Sequence, residues 1–166
     1  MRRNTQRGEP VPDAPRNGGI YVIQNKATGK QLGLPNSSIV GVFKEQHIVP
    51  RDRGAVWELE FVTVADSLHC YRFRTAGPFP WSDLEDPDSD FGRLDSDPER
   101  QVYAHRPNDT ESQIWQPEPL ADGSFLLFNR ATGLALDGTN GDIYTNSPNF
   151  NDSQHWGFFT APPDVF

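Results

Sequence analysis

Apolar residues along this chain come in short clusters separated by turn-forming residues. Ile20-Tyr21-Val22-Ile23 and Phe125-Leu126-Leu127-Phe128 are β-branched or aromatic runs of the kind that packs on a pleated surface. Each is followed by Asn-x-Ala-Thr-Gly, a turn signal. Further short runs lie at Gln31-Leu32-Gly33-Leu34, at Ile39-Val40-Gly41-Val42 and around Trp57, Trp115 and Trp156. No segment sustains a 3.6-residue apolar period. Short strands at this spacing predict an all-β barrel or sandwich rather than βαβ units.

The pattern repeats. Asn25-Lys26-Ala27-Thr28-Gly29 matches Asn129-Arg130-Ala131-Thr132-Gly133, with Lys exchanged for Arg. At the same offset Tyr21 meets Phe125, Ile23 meets Leu127, Leu32 meets Leu136, Asn36 meets Asn140 and Ile39 meets Ile143. A third copy opens at Tyr71-Arg72-Phe73-Arg74-Thr75 and then loses the match. Each copy closes on a tryptophan: Ala55-Val56-Trp57, Ser112-Gln113-Ile114-Trp115 and Ser153-Gln154-His155-Trp156. The repeats therefore span about 18–62, 63–119 and 120–160, with roughly four strands in each and about twelve in all. Residues 1–17 read as a polar, Pro-containing arm preceding a domain over 18–166.

Composition narrows the function classes. The 166 residues suit one domain. Four Trp and 11 Phe fill a core although only 35% of residues are hydrophobic. A formal net charge of -8 disfavours nucleic acid and anionic membranes as partners. No stretch is apolar and long enough to span a bilayer. Met1-Arg2-Arg3-Asn4-Thr5-Gln6-Arg7 leads into no apolar h-region, so the expected location is cytoplasmic or non-classically secreted. The single cysteine, Cys70, rules out an internal disulfide framework and reads as a packed strand residue. No hydrolase, metalloprotease or phosphate-loop motif occurs, and His47, His69, His105 and His155 lack metal-ligand spacing. The sequence thus predicts no enzyme, no cofactor and no metal site.

Three copies, an Asn-x-x-x-Gly turn and Gln-x-Trp endings resemble the ricin-B-like β-trefoil lectins, particularly the mushroom type, over residues 18 to about 160. The resemblance implies an all-β β-trefoil of three four-stranded repeats with pseudo-threefold symmetry. It implies that the Gln-x-Trp residues are mainly core. It also implies a shallow sugar pocket in each repeat, made from an Asp in a Leu-Asp-Gly-like turn, an aromatic platform and an Asn shortly before Gln-x-Trp. A carboxylate accepts two hydroxyl donors at once, a ring packs on the C–H face of a hexose, and an amide both donates and accepts.

Carried over by position, these roles fall on the third repeat. Leu136-Asp137-Gly138 supplies the carboxylate, Asn151 the amide and Gln154 the support. The usual platform position aligns with Asn146, and Tyr144, two residues earlier on a strand, faces the same side as a shifted platform. The candidate site is Asp137, Gly138, Tyr144, Asn146, Asn151 and Gln154, with glycans or glycoconjugates as partners. Read without the resemblance, the same residues form a turn at 137–142 and a loop cap at 151–153. The first copy has Gly33 in place of the Asp and Ala55 in place of the Gln. The second keeps Gln113, has Thr110 for the Asn, and offers no Leu-Asp-Gly turn to align. One working pocket is expected.

Two other segments carry candidate chemistry. Residues 82–99 hold Asp83, Glu85, Asp86, Asp88, Asp90, Asp95, Asp97 and Glu99 against Arg93 alone. That segment reads as a solvated acidic insertion, with calcium or partner binding as its functional alternative and Trp81 beside it as an anchor or a core residue. The loop Val49-Pro50-Arg51-Asp52-Arg53-Gly54 offers Arg on a Pro-stiffened segment. It keeps open a β-trefoil protease inhibitor, whose partner is a protease. A homo-oligomer is also left open.

Overall fold

The structure is a computed structural model that describes residues 15–33, 45–52, 54–63, 70–75, 92–105 and 109–160, with backbone only for 45–47. Thirteen strands lie among the described residues: β1 Ile20–Asn25, β2 Gln31–Gly33, β3 Glu45–His47, β4 Val49–Arg51, β5 Trp57–Val62, β6 Cys70–Thr75, β7 Arg93–Ser96, β8 Val102–His105, β9 Trp115–Pro119, β10 Phe125–Asn129, β11 Ala135–Gly138, β12 Ile143–Asn146 and β13 Trp156–Thr160. Six of them close a barrel in the order β1, β5, β6, β9, β10, β13 and back to β1, every pair antiparallel. Each repeat gives the barrel its opening and its closing strand. Six of the remaining seven strands form three hairpin pairs, β2 with β4, β7 with β8 and β11 with β12. The second hairpin reaches the other two repeats: its β8 pairs with β3 of the first, and Gln101 bridges to Tyr144 of the third.

The strand pattern follows from the side chains. In β1 every second residue is buried, so Tyr21 and Ile23 reach the core while Val22 and Gln24 stay half-buried. Trp57, Trp115 and Trp156 are fully buried where the closing strands begin, and each is worth about 3–5 kcal/mol against truncation to Ala. Phe158 takes edge-on contacts from Tyr21, Phe73 and Phe125 with ring centroids 5.6, 5.9 and 5.5 Å away. Cys70 is a buried thiol in β6.

The Asn-x-Ala-Thr-Gly turn is a staple between repeats. Asn25 accepts the N–H groups of Ala27 and Thr28 on its Oδ1 and donates through Nδ2 to Ser153 O at 2.8 Å. Asn129 repeats this with Ala131, Thr132 and Ser112 O. The turn closes at φ +73 in Gly29 and +72 in Gly133, the left-handed region that excludes most side chains. The second repeat has Thr75 in place of the Asn; its N–H donates to Gly92 O and its hydroxyl accepts from Gly92 N.

Four sequence expectations change or fall outside the described residues. The strand expected at Ile39–Val42, Trp81 and residues 82–91 of the acidic insertion lie outside them. Within the rest of that insertion Arg93–Ser96 is a hairpin strand and Asp95 is 2% exposed, with Gln113 Nε2 bound to its Oδ2, while Pro98 and Glu99 lie exposed in the turn that follows. Val49–Arg51, expected in a projecting loop, is paired with β2, Asp52 is bound to Lys30 at 2.6 Å, and Gly54 N–H donates to Gln31 Oε1. Most of the expected arm is also outside, but the chain is already anchored at Pro15, whose carbonyl accepts from Tyr71 Oη, and at Asn17, whose Oδ1 accepts from Phe61 N.

Candidate functional site

The buried tryptophans set the geometry. Trp156 Nε1 donates to Leu136 O and Trp115 Nε1 to Leu94 O, both at 2.9 Å, and Trp57 Nε1 to Leu32 O at 3.4 Å. The residue after each anchored leucine therefore occupies the same place in its repeat: Asp137, Asp95 and Gly33.

In the third repeat Asp137 is 2% exposed. Its Oδ1 accepts from Gly138 N at 2.8 Å and its Oδ2 from Gln154 Nε2 at 3.1 Å. Gln154 is fully buried, donates also to Ser147 O, and accepts Asn149 N on its Oε1. One side chain thus fixes both the carboxylate and the loop that carries Asn151. Asn151 precedes the short 3-10 helix Asp152–Gln154, but its amide caps nothing, so the loop-cap role is left to its backbone carbonyl, which accepts from Gln154 N. Tyr144 stands opposite Asp137 in the β11–β12 ladder. Burial first, then the Asp137 and Asp142 carboxylates, push the Tyr144 hydroxyl above its ordinary pKa. Gly138 is a packing residue: a Cβ there would come within 3.0 Å of Ile143 Cδ1 and 3.3 Å of Trp156 Cη2. Asn146 does not stand alone, since its Oδ1 accepts from Arg100 Nη1 at 2.9 Å.

The second repeat holds the arrangement that its sequence conceals. Leu94-Asp95-Ser96 superposes on Leu136-Asp137-Gly138 by ladder register, with Asp95 opposite Tyr103 as Asp137 is opposite Tyr144. Gln113 Nε2 donates to Asp95 Oδ2 at 2.9 Å. His105 takes the Asn146 position; its Nδ1 lies 3.9 Å from Asp95 Oδ2 and its ring stands 5.8 Å from that of Tyr103. Asp95 Oδ1 and Ser96 Oγ are buried with no hydrogen-bond partner, which is costly unless something else supplies a donor or acceptor. The sequence offers no Leu-Asp-Gly turn to align in this repeat, and the ladder register instead puts Leu94-Asp95-Ser96 in that place. The signal was the distance to the tryptophan, 21 residues from Leu94 to Trp115 against 20 from Leu136 to Trp156.

The first repeat has closed this place. A Cβ on Gly33 would meet Arg51 Cδ at 2.6 Å, so the arginine stem fills the space an aspartate would need. Ala55 replaces the glutamine, and Gln31 Oε1 instead accepts the Gly54 N–H at 2.7 Å.

Backbone strain marks the two open repeats. Among the described residues the non-glycine positions at positive φ are Arg100 at +73, Asp109 at +60 and Phe150 at +60. Arg100 reaches Asn146, Asp109 precedes Thr110, and Phe150 precedes Asn151. For a bulky residue this region is an outlier, and such outliers gather at functional sites. Phe150, which no sequence motif singled out, is 68% exposed. Among the described residues no group of three or more His, Cys, Asp or Glu could hold a metal ion, and no helix is long and apolar enough to cross a membrane.

No protein-family model matches the chain, and no curated protein matches it. Solved structures do. The designed threefold-symmetric protein ThreeFoil is 19% identical, with a TM-score of 0.62 over 86% of this chain and 99% of its own. SeviL, solved bound to asialo-GM1 saccharide, is 16% identical, with a TM-score of 0.59 over 88% of this chain and 100% of its own. A GH43 β1,3-galactosidase is 11% identical, with a TM-score of 0.63 over 89% of this chain but 28% of its own. Closed barrel, linked hairpins and these likenesses together establish that the chain has the β-trefoil fold.

Proposed function

We propose that the protein is a carbohydrate-binding lectin without catalytic activity, with a shallow pocket in the third repeat and a second in the middle repeat. The observation that carries this is the Asp–Gln pair built twice at the same register, Asp137 with Gln154 and Asp95 with Gln113. A buried carboxylate held by a glutamine amide keeps acceptor lone pairs at a fixed place, ready for paired sugar hydroxyls. Tyr144 lies beside the third-repeat carboxylate as a ring for C–H stacking, worth about 1 kcal/mol, and Phe150 adds an exposed ring at the rim. In the middle repeat Tyr103 takes the Tyr144 position, and the His105 ring, at the Asn146 position, stands 5.8 Å from it. The unpartnered Asp95 Oδ1 and Ser96 Oγ are the groups a ligand hydroxyl would satisfy. In each pocket the aspartate's partner is an amide rather than a second carboxyl group, which suits binding and not glycoside hydrolysis. SeviL, a saccharide-bound β-trefoil, supports the same reading.

A glycan array tests it. Wild-type protein should bind at least one saccharide class. The Asp137→Asn and Asp95→Asn variants should each weaken binding while remaining folded, and together they should remove it. An array with no binding, or a double variant that binds like wild type, would overturn the proposal.

A further inference from the structure

The third-repeat pocket has a neighbour that its own repeat does not provide. Arg100 sits in the turn between β7 and β8, with its N–H on Asp97 O and its carbonyl accepting Thr145 N at 3.0 Å. Gln101, the next residue, bridges to Tyr144. The root of the arginine is thus fixed against β12, on which Tyr144 and Asn146 share a face. Its Nη1 donates to Asn146 Oδ1 at 2.9 Å.

We infer that this pocket selects saccharides carrying an anionic group, a carboxylate or a sulfate, through the Arg100 guanidinium. The inference rests on the lectin reading of the third repeat. Three observations carry it. First, a guanidinium has five N–H donors, and Asn146 takes one. Second, Arg72, Arg74, Arg93 and Arg130 each have a carboxylate within 4.0 Å, whereas among the described residues none pairs with Arg100, in a chain of net charge -8. Third, Arg100 occupies φ +73, the value at which the Asn-x-Ala-Thr-Gly turns place Gly29 (+73) and Gly133 (+72); the strain persists although glycine would relieve it. An arginine is suited to bind a planar carboxylate or a sulfate by paired hydrogen bonds. Acidic groups limit where the anion sits. The Asp137 and Asp142 carboxylates act electrostatically on the Tyr144 hydroxyl, and Asp97 and Glu99 share the arginine's turn. Asp137 is already held by Gln154 and Gly138. Sugar hydroxyls then belong at the Asp137 end and the anionic group at the Asn146–Arg100 end.

The test is an array of matched neutral, sialylated and sulfated forms of the same saccharide cores, read with wild type, Arg100→Gly, Arg100→Gln and Asp137→Asn, followed by titration of the best matched pair. Wild type should favour the anionic form by roughly tenfold at low salt, and less at high salt. Arg100→Gly should collapse that ratio towards unity while its melting temperature holds or rises, because the turn strain is relieved. Sialylated against sulfated forms tells carboxylate from sulfate. Equal binding of neutral and anionic forms by wild type, or a ratio that survives both Arg100 variants, overturns this inference and leaves the lectin reading intact. No binding to any saccharide overturns both.

Discussion

The first and third repeats share their opening turn almost residue for residue, yet they differ at the pocket position, while the middle repeat, whose sequence departs most, shares the third's Asp–Gln hydrogen bond there. Asn25 and Asn129 make the same bonds to Ser153 and Ser112, but the first repeat has Gly33 under the Arg51 stem where the others have Asp137 and Asp95. The barrel and the pocket are separate demands on one repeat. The buried tryptophan is held by closure of the barrel in every copy, and the Asn turn is described in the first and third. The pocket needs only an aspartate after the anchored leucine and a glutamine two residues before the tryptophan, and a copy can lose these and still fold.

That difference can be broken most strongly at the glutamines. Gln154→Leu leaves the Asp137 carboxylate, Ser147 O and Asn149 N without their partner, and should cost about 3 kcal/mol in urea unfolding. Gln113→Leu should do the same to Asp95. Ala55→Gln in the first repeat meets no carboxylate and should give no matching gain. Next comes Thr145, whose buried hydroxyl has no partner and whose counterparts across the three hairpins are Pro50 and Ala104. Thr145→Val should raise stability by about 1 kcal/mol, and a loss of that size would show that the hydroxyl is satisfied in solution.

The smallest effect concerns the exchanged cation of the shared turn. Lys26 binds Asp122 at 2.5 Å, whereas Arg130 lies 3.8 Å from Glu111. The Lys26 ammonium first, then the Ser124 hydroxyl and N–H, hold the Asp122 carboxyl far below the usual carboxylate range. A depressed folded-state pKa stabilises above the unfolded value and is lost as pH falls below it. Acid unfolding curves of Asp122→Asn should therefore lie at most about 1 kcal/mol below wild type at neutral pH, begin to approach it as pH falls below about 4, and meet it only once the folded-state carboxyl itself protonates at much lower pH. Glu111→Gln should change neither limb measurably.

The sequence carried the fold through features set by local chemistry: turn glycines, the Asn staple and three buried tryptophans. It carried Asp137 and Gln154 for the same reason, because their spacing from Trp156 is part of the hairpin. Asp95 stayed hidden because one extra residue before Trp115 shifts its alignment, Ser96 replaces the turn glycine, and a run of acidic neighbours makes a buried carboxylate look solvated. Arg100 and Arg51 could not be found by repeat matching. Arg100 acts on a residue 46 positions away in another repeat, and Arg51 acts by filling space. Phe150 was invisible because only its backbone conformation and exposure distinguish it.

Isothermal titration with the saccharide that binds best on the array tests the central claim most directly. Wild type should titrate with two sites per chain, Asp137→Asn and Asp95→Asn with one each, and the double variant with none. A single site in wild type that persists unchanged in both aspartate variants would contradict it.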